Sequence, residues 1–491
     1  MIGTTSLLIF PFIISLFGAI SSLFLPKVMR IAAPFFFFIH LILSFFLAKL
    51  VFDGGAVAMS AGSWLAPYGI VLVADPFAAL MLFLSSLIFF CCLVVPSDTD
   101  KFSFMPLTFL LQAGVTLSFI SGDLFNLFVA FELMLTASYG ILTCEGDGKR
   151  LGNIYSYLSM NIVASLLFLV AIAIFYGSCG SLNLAALSGH FNESTSLLTI
   201  LPIIAIGLVV VIKGGIFPLY FWLPDSYPIL PSHLAALFAG TLSKVGIYVL
   251  FRLAFVLSIF THPSLIIALF IMGSLTMFFG VVGAVSKSSV KEILSYHILS
   301  QVGYMIFALA LGTPLAVAAA IFFIMHNMLV KSSLFLLGGI AQRRCQTDYL
   351  PRMGGLWYTT PFLGLLFSLQ ALSLAGLPPL SGFWGKYLIL FEGMSLESYF
   401  AVFIALITSF LTLFSMVKIW NQAFFGEQQG AHVSVNKSAY IGSCILTVFS
   451  LLIGVMVNQS FGLTYHAAEK LVDNREYIAV SLASGSKGER P

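Results

Sequence analysis

The stretch Leu208–Pro224, LVVVIKGGIFPLYFWLP, decides the fold. Its apolar run is fit to cross a bilayer, yet Lys213 stands inside it, and a charge at that depth costs roughly 2.5–3.5 kcal/mol on insertion scales. Gly214, Gly215 and Pro218 follow directly. Proline has no N–H to give to the carbonyl four residues back, that of Gly214, so the helix must break beside the lysine. A broken helix at membrane depth survives only where protein or a water cavity satisfies the freed backbone. The stretch Gly376–Ile389, GLPPLSGFWGKYLI, repeats the design: Gly376, Pro378, Pro379 and Gly382 interrupt the run before Lys386.

Composition agrees with a membrane class. The chain of 491 residues is 60% hydrophobic and 8% charged, where soluble proteins carry roughly 25% charged residues. Net charge is +3 and no basic cluster is present, which argues against a nucleic-acid partner. The six cysteines show no metal-ligand spacing, and Cys91 and Cys92 share one apolar run, so neither a disulfide framework nor a metal is expected. The first apolar run lacks a basic leading region and a cleavage site, and reads as a span and not a removed signal.

Windows of about 20 apolar residues predict fourteen spans in an all-α polytopic fold. They cover 4–25, 31–51, 76–96, 104–121, 123–143, 154–177, 200–222, 233–256, 264–284, 292–311, 314–340, 360–391, 398–424 and 438–460. The two broken spans lie five helices apart, which predicts two five-helix repeats, spans 4–8 and 9–13. Five is odd, so the second repeat is inverted. The expected segments are 1–100, 101–257, 258–425 and 426–491. Alternate loops hold Lys27, Arg30, Lys101, Lys149, Arg150, Lys287, Lys291, Arg343, Arg344, Arg352 and Lys437. That bias puts these loops inside and both termini outside, with Lys49 and Arg252 snorkelling at outer helix ends. The tail mixes both charges, and its LASGSKGERP end reads as disordered.

The ionisable groups within spans are the functional candidates. At about 1.5 Å rise per residue, Glu132, Lys213, Lys244 and His326 all fall near the middle of a hydrocarbon core about 30 Å thick. They form a row in the membrane plane, which half-channels must join to water. His297 lies about 8 Å above the inner end of its span, where it could serve one. Lys331 reads equally as a member of the row or as a snorkelling side chain, and Lys418 as snorkelling. Asp225 reads as a cap or turn residue. A lysine out of water can load and release a proton near neutral pH. Four buried lysines with one buried acid therefore point to proton movement. Paired carboxylates or a Ser/His/Asp set at an interface, as an enzyme would need, do not stand out.

Three stretches carry a family resemblance. They are GDLFNLFVAFELMLTASYG (122–140), KGGIFPLYFWLPDSYPILPSHLAALFAGTLSKVGIY (213–248) and the Lys386 stretch above. The chain resembles the antiporter-like subunits shared by multisubunit Mrp-type cation/proton antiporters and the membrane arm of respiratory complex I. In LYFWLPDSYP and FNLFVAFELML, and in length, it has the form of the D-type Mrp subunits. The resemblance implies that Glu132 is the fifth-helix glutamate and Lys213 its seventh-helix partner. It makes Lys244 the central lysine and Lys386 the terminal one. His326 and Lys331 of HNMLVK match the eleventh-helix pattern, although Asn327 stands where many members carry histidine. His297 matches the Mrp-type histidine.

The function this implies is proton translocation for a sodium/proton antiporter in a bacterial cytoplasmic membrane. It is a transporter subunit and not an enzyme, with further antiporter subunits as partners, protons and sodium as cargo, and no cofactor. The alternative is a proton-pumping subunit of complex I or a hydrogenase-type relative. A carboxylate ~4 Å from a lysine is worth about 4 kcal/mol at an effective dielectric near 20. Approach and withdrawal of Glu132 would thus hold or free the proton on Lys213. A static ion pair is the competing reading.

Overall fold

The computed structural model describes residues 6–62, 64–94, 104–144, 151–188, 197–258, 260, 262–428 and 432–483. Lys101, Lys149, Arg150, His190 and all of the LASGSKGERP end beyond Ala483 lie outside the described residues.

The membrane-crossing helices, in chain order, are α1 Phe10–Phe24, α2 Pro26–Gly54, α3 Pro76–Leu93, α4 Phe104–Ile120, α5 Leu124–Cys144, α6 Leu151–Cys179 and α7 Leu197–Gly214. They continue with α8 Ser232–Val256, α9 Pro263–Ser286, α10 Val290–Leu311, α11 Pro314–Cys345, α12 Pro361–Ala375, α13 Ser381–Ser395, α14 Tyr399–Ile419 and α15 Ile441–Val455. Among the described residues, ten helices are long and apolar enough to span, and four shorter apolar ones (α1, α4, α7 and α12) bring the number to the fourteen expected crossings. The twelfth crossing is shared by α12 and α13.

Both breaks fall where the glycines and prolines put them. Gly215 (φ 67°) and Gly376 (φ 93°) take the left-handed conformation that ends each helix, and a proline stands three residues beyond each. Every residue of the richest window of α8 is buried, and nearly every one in α10 and α11, so these form the centre. At 32 residues, α11 is the longest of them, and it packs against α8, α10, α12, α13 and α15. By contrast α2, α6, α9 and α14 turn apolar faces outward, with Phe35, Phe403 and Phe410 exposed as a lipid-facing belt requires.

The tail before the LASGSKGERP end, to which the sequence reading assigned no structure, is helical. The last crossing ends at Val455, and α16 (Val457–Val472) and α17 (Arg475–Ala483) continue as helices. The antiparallel hairpin β1 (Val57–Ala61) and β2 (Ile70–Ala74) is a second such element. The end helix α17 packs on it, with Glu476 Oε1 accepting from Ala56 N at 2.9 Å. Hairpin and tail therefore share one face. On the opposite face, Ser289 bridges to Tyr349, and Lys418 donates to Val285 O (3.1 Å) in the last turn of α9 and to Lys287 O (2.6 Å) just beyond it.

Arg252 does not snorkel. Its guanidinium lies 2.6 Å from Asp75 Oδ1, and both are buried. Asp75 is also the N-cap of α3, accepting from Ala78 N at 2.9 Å. Tyr248 and Tyr477 stack on the guanidinium from α8 and α17. A charge with a carboxylate and two rings in reach has no cause to seek water.

Candidate functional site

The site begins on α5, α6 and α7. Asp123 caps the start of α5 by accepting from Phe125 N (2.8 Å) and Asn126 N (3.0 Å), and about two turns later the helix presents Glu132. The Glu132 carboxylate accepts from the Ser165 hydroxyl of α6. Lys213, in the last turn of α7, donates to Asn161 Oδ1 at 3.2 Å and lies 5.6 Å from the Phe131 ring centre. Glu132 and Lys213 are near enough to interact electrostatically. They form no ion pair, because α6 supplies each with its own partner.

The break holds Lys213 in place. The indole of Trp222 reaches back to donate to Ile212 O at 3.0 Å, a second bond on a last-turn carbonyl of α7 that Gly215 N meets at 3.2 Å. Opposite, Gly246 of α8 lets the two helices touch, since a Cβ there would lie 2.8 Å from Gly214 N and 3.0 Å from the Lys213 carbonyl carbon. Lys244 is fully buried, and its amine donates to Ala239 O (2.8 Å) and Ser243 Oγ (3.2 Å).

Lys331 is fully buried and donates to Leu294 O at 3.4 Å, which rules out snorkelling and places it in the row. It lies within electrostatic range of both Lys244 and Lys386. His326 is buried with Nδ1 2.9 Å from Ser381 Oγ, at the start of α13. Lys386 reaches back across the helix break to Leu374 O (3.1 Å) and Ala375 O (3.0 Å), capping the carbonyl end of α12. Its amine is 5.2 Å from the Tyr304 ring centre. His297 Nε2 meets Ser415 Oγ at 2.5 Å, and both Lys331 and Lys386 are within electrostatic range.

The row thus runs Glu132, Lys213, Lys244, Lys331, with His326 and His297, to Lys386. Among the described residues, His297 Nδ1 and His326 Nε2 have no hydrogen-bond partner, so each imidazole has one nitrogen anchored and one open. A cavity of about 590 Å³ opens toward the face of Lys291, Arg343 and Asn436. Its lining residue Leu336 lies about 7.5 Å along α11 from Lys331. No group of three or more metal-ligating His, Cys, Asp or Glu side chains exists among the described residues.

Sequence reasoning missed Asn161, Ser165, Ser381 and Ser415, the side chains that receive the ionisable groups. Asn161 carried a usable signal, an amide within the apolar sixth span. The serines carried none, because serine is common in spans and bonds to its own helix.

A predominantly helical membrane protein with two broken helices and a buried row of lysines defines a class, that of ion-translocating membrane subunits. Residues 121–412 match the model of the family "NADH:quinone oxidoreductase/Mrp antiporter, TM". The D-type Na(+)/H(+) antiporter subunit of Alkalihalophilus pseudofirmus is 42% identical, over 89% of this chain and 91% of its own length. The corresponding D-type antiporter subunit of Bacillus subtilis is 37% identical, over 96% of this chain and 99% of its own. A chain of the Mrp complex from Dietzia sp. superposes with a TM-score of 0.91 at 27% identity, covering 98% of this chain and all of that one. A chain of Thermus thermophilus respiratory complex I has the same fold, with a TM-score of 0.85 at 24% identity and 95% and 99% coverage. The chain belongs to the NADH:quinone oxidoreductase/Mrp antiporter transmembrane family.

Proposed function

We propose that this chain is the proton-translocating subunit of a multisubunit sodium/proton antiporter, with Glu132, Lys213, Lys244 and Lys386 as its relay and His297, His326 and Lys331 as the links between the last two lysines. One observation carries the reading. The four lysines of the row rest on amide, hydroxyl or carbonyl oxygens, and none of them on an acid. Such acceptors serve a lysine in either protonation state, which is what a carrier needs and a static ion pair does not provide. The two D-type relatives favour antiport over coupling to a quinone.

Glu132 and Ser165 are only half buried, on the flank between α5 and α6. A carboxylate at mid-membrane depth facing lipid would be costly, so protein covers this flank and the chain works within a hetero-oligomer. Our reading puts both termini outside; it is supported by Lys291 and Arg343, basic residues that line the 590 Å³ cavity on the face opposite the hairpin and α17. The segments 101–257 and 258–425 are the two repeats, between the segments 1–100 and 426–491.

In everted vesicles containing the whole complex, Lys213→Ala and Glu132→Ala abolish sodium/proton antiport while the subunit remains assembled. Loss of the assembled subunit in both variants would instead establish a structural ion pair. Alone in a strain without its sodium/proton antiporters, the chain does not restore salt resistance, whereas its full operon does.

A further inference from the structure

Glu132 and Lys213 are held apart by two side chains on a third helix. Ser165 and Asn161 are four residues apart on α6, hence on one face in consecutive turns, about 6 Å from each other. The Ser165 hydroxyl donates a hydrogen bond to Glu132, and the Asn161 amide oxygen accepts one from Lys213. The amide cannot turn freely. Asn161 Nδ2 donates to Tyr157 O at 2.8 Å, which aims Oδ1 at the lysine. Tyr157 is itself pinned, its hydroxyl 2.8 Å from Ser138 Oγ of α5 and its ring edge-on to Trp222 at 5.2 Å.

We infer that Asn161 and Ser165 are positioning residues that park Lys213 and Glu132 one helical turn apart, so that α6 sets how often the pair closes. The inference rests on the proposed relay and adds the element that governs it. Neutral acceptors and donors suit that task. A carboxylate at 161 would lock the lysine, and an alkyl group would leave the lysine no partner but Glu132. Because α6 carries both residues, a small turn or shift of this one helix withdraws both partners together. The cargo of such a motion is the proton held between Lys213 and Glu132.

The other titratable groups facing the pair are Tyr139 of α5 and Tyr157 of α6. From α8 the facing surface is the backbone at Gly246, and Lys244 turns its amine toward Ala239 O. From α9, Thr276 accepts from Phe217 N at 3.0 Å, in the break that follows Lys213. A lysine against a carboxylate keeps its proton to higher pH than one against an amide. Removing either parking group therefore moves the pH profile of transport to the alkaline side. Full pairing at ~4 Å corresponds to roughly three pH units, and a pair closed part of the time to about one.

The test uses the complete complex in everted vesicles, with antiport measured from pH 6.5 to 9.5 in Asn161→Leu, Asn161→Gln and Ser165→Ala. Asn161→Leu is expected to lose at least tenfold in rate at pH 7 and to shift its half-maximal pH up by about one unit. Ser165→Ala shifts in the same direction, and Asn161→Gln, which keeps the acceptor, recovers most of the wild-type profile. A lower rate with no shift in Asn161→Leu and Ser165→Ala means a merely structural role and overturns the inference. Should Asn161→Leu fail to assemble, Ser165→Ala decides alone, since it removes one oxygen and leaves the packing. Wild-type profiles in both variants, alongside an inactive Lys213→Ala, refute the parking role and leave the relay intact. Full antiport in Lys213→Ala refutes the relay itself.

Discussion

Replacing Lys386 by arginine separates the two things its side chain does. The amine caps the carbonyl end of α12 through Leu374 O and Ala375 O, and in the proposed relay it also gives up a proton. Arginine keeps the first role, with a permanent charge and five donors at about the same reach. Removing the cap altogether, as in Lys386→Met, would leave two buried carbonyls unmet at about 1–3 kcal/mol each, and any loss of transport would be confounded by loss of fold. Arginine avoids this and changes proton release. Reference proton affinities of lysine and arginine differ by at least about two pKa units, worth about 3 kcal/mol. If release from residue 386 lies on the transport path, Lys386→Arg slows antiport at least ~100-fold. The assay is sodium-induced recovery of a pH-sensitive dye in everted vesicles, with the complex pulled down through another subunit to show assembly. An assembled Lys386→Arg complex running above a tenth of the wild-type rate would refute the reasoning. Lys386 would then be a cap and a fixed charge and no carrier.

Three further outcomes follow from particular contacts. Gly246→Ala drives a methyl group into the backbone of α7 at Lys213, and such overpacking costs about 1–3 kcal/mol; antiport falls more than tenfold in assembled complex, and an unchanged rate would show that α7 and α8 need not touch there. Arg252→Leu leaves Asp75 charged and alone, a loss of about 3–5 kcal/mol seen as a lower temperature of subunit loss in detergent, and Asp75→Leu in the same chain restores most of it. On the face of the hairpin and α17, Lys470 and the Ala56 amide hold the Glu476 carboxyl below the usual carboxylate range. A depressed carboxyl stabilises the docking of α17 above the free carboxylate range, and that contribution disappears as pH falls through the depressed value. Protease cleavage near Asp473–Asn474 therefore rises at acid pH, and in Glu476→Gln it is high and independent of pH.

The fold was legible in the sequence wherever one residue type had one physical consequence. Gly214, Gly215 and Pro218, with Gly376, Pro378 and Pro379, could only end helices, and α7 and α12 end there. Apolar length fixed the fourteen crossings. What sequence left open was partnership. Arg252 reads as a snorkelling cation until α3 brings Asp75 from 177 residues away in the chain. Lys331 has two readings until α10 offers Leu294 O. The helical tail was hidden by its mixed charge, because what orders it is the distant hairpin and Arg252. Within the site, depth along each helix put the ionisable groups in one plane, but depth says nothing of rotation about the helix axis. Rotation decides that Glu132 meets Ser165 and Lys213 meets Asn161.

The arithmetic of charge turns this arrangement into a mechanism. The row holds four lysines in succession, Lys213, Lys244, Lys331 and Lys386, and a single acid at one end. Lys331 feels both Lys244 and Lys386. Two like charges ~8 Å apart repel by about 2 kcal/mol at an effective dielectric near 20, so a proton on one of them disfavours a proton on the next. Full protonation of all four is therefore the least favourable state, and full deprotonation leaves Glu132 uncompensated. The row is driven toward partial occupancy, in which moving one proton obliges its neighbours to adjust. In the proposed relay, Glu132 is the one acid of the row that would favour a proton at its end, when Ser165 and Asn161, which hold Glu132 and Lys213 in this structure, let the two meet. There, a local closure on α6 would set proton occupancy at Lys213, and like-charge repulsion would couple Lys331 to Lys244 on one side and Lys386 on the other.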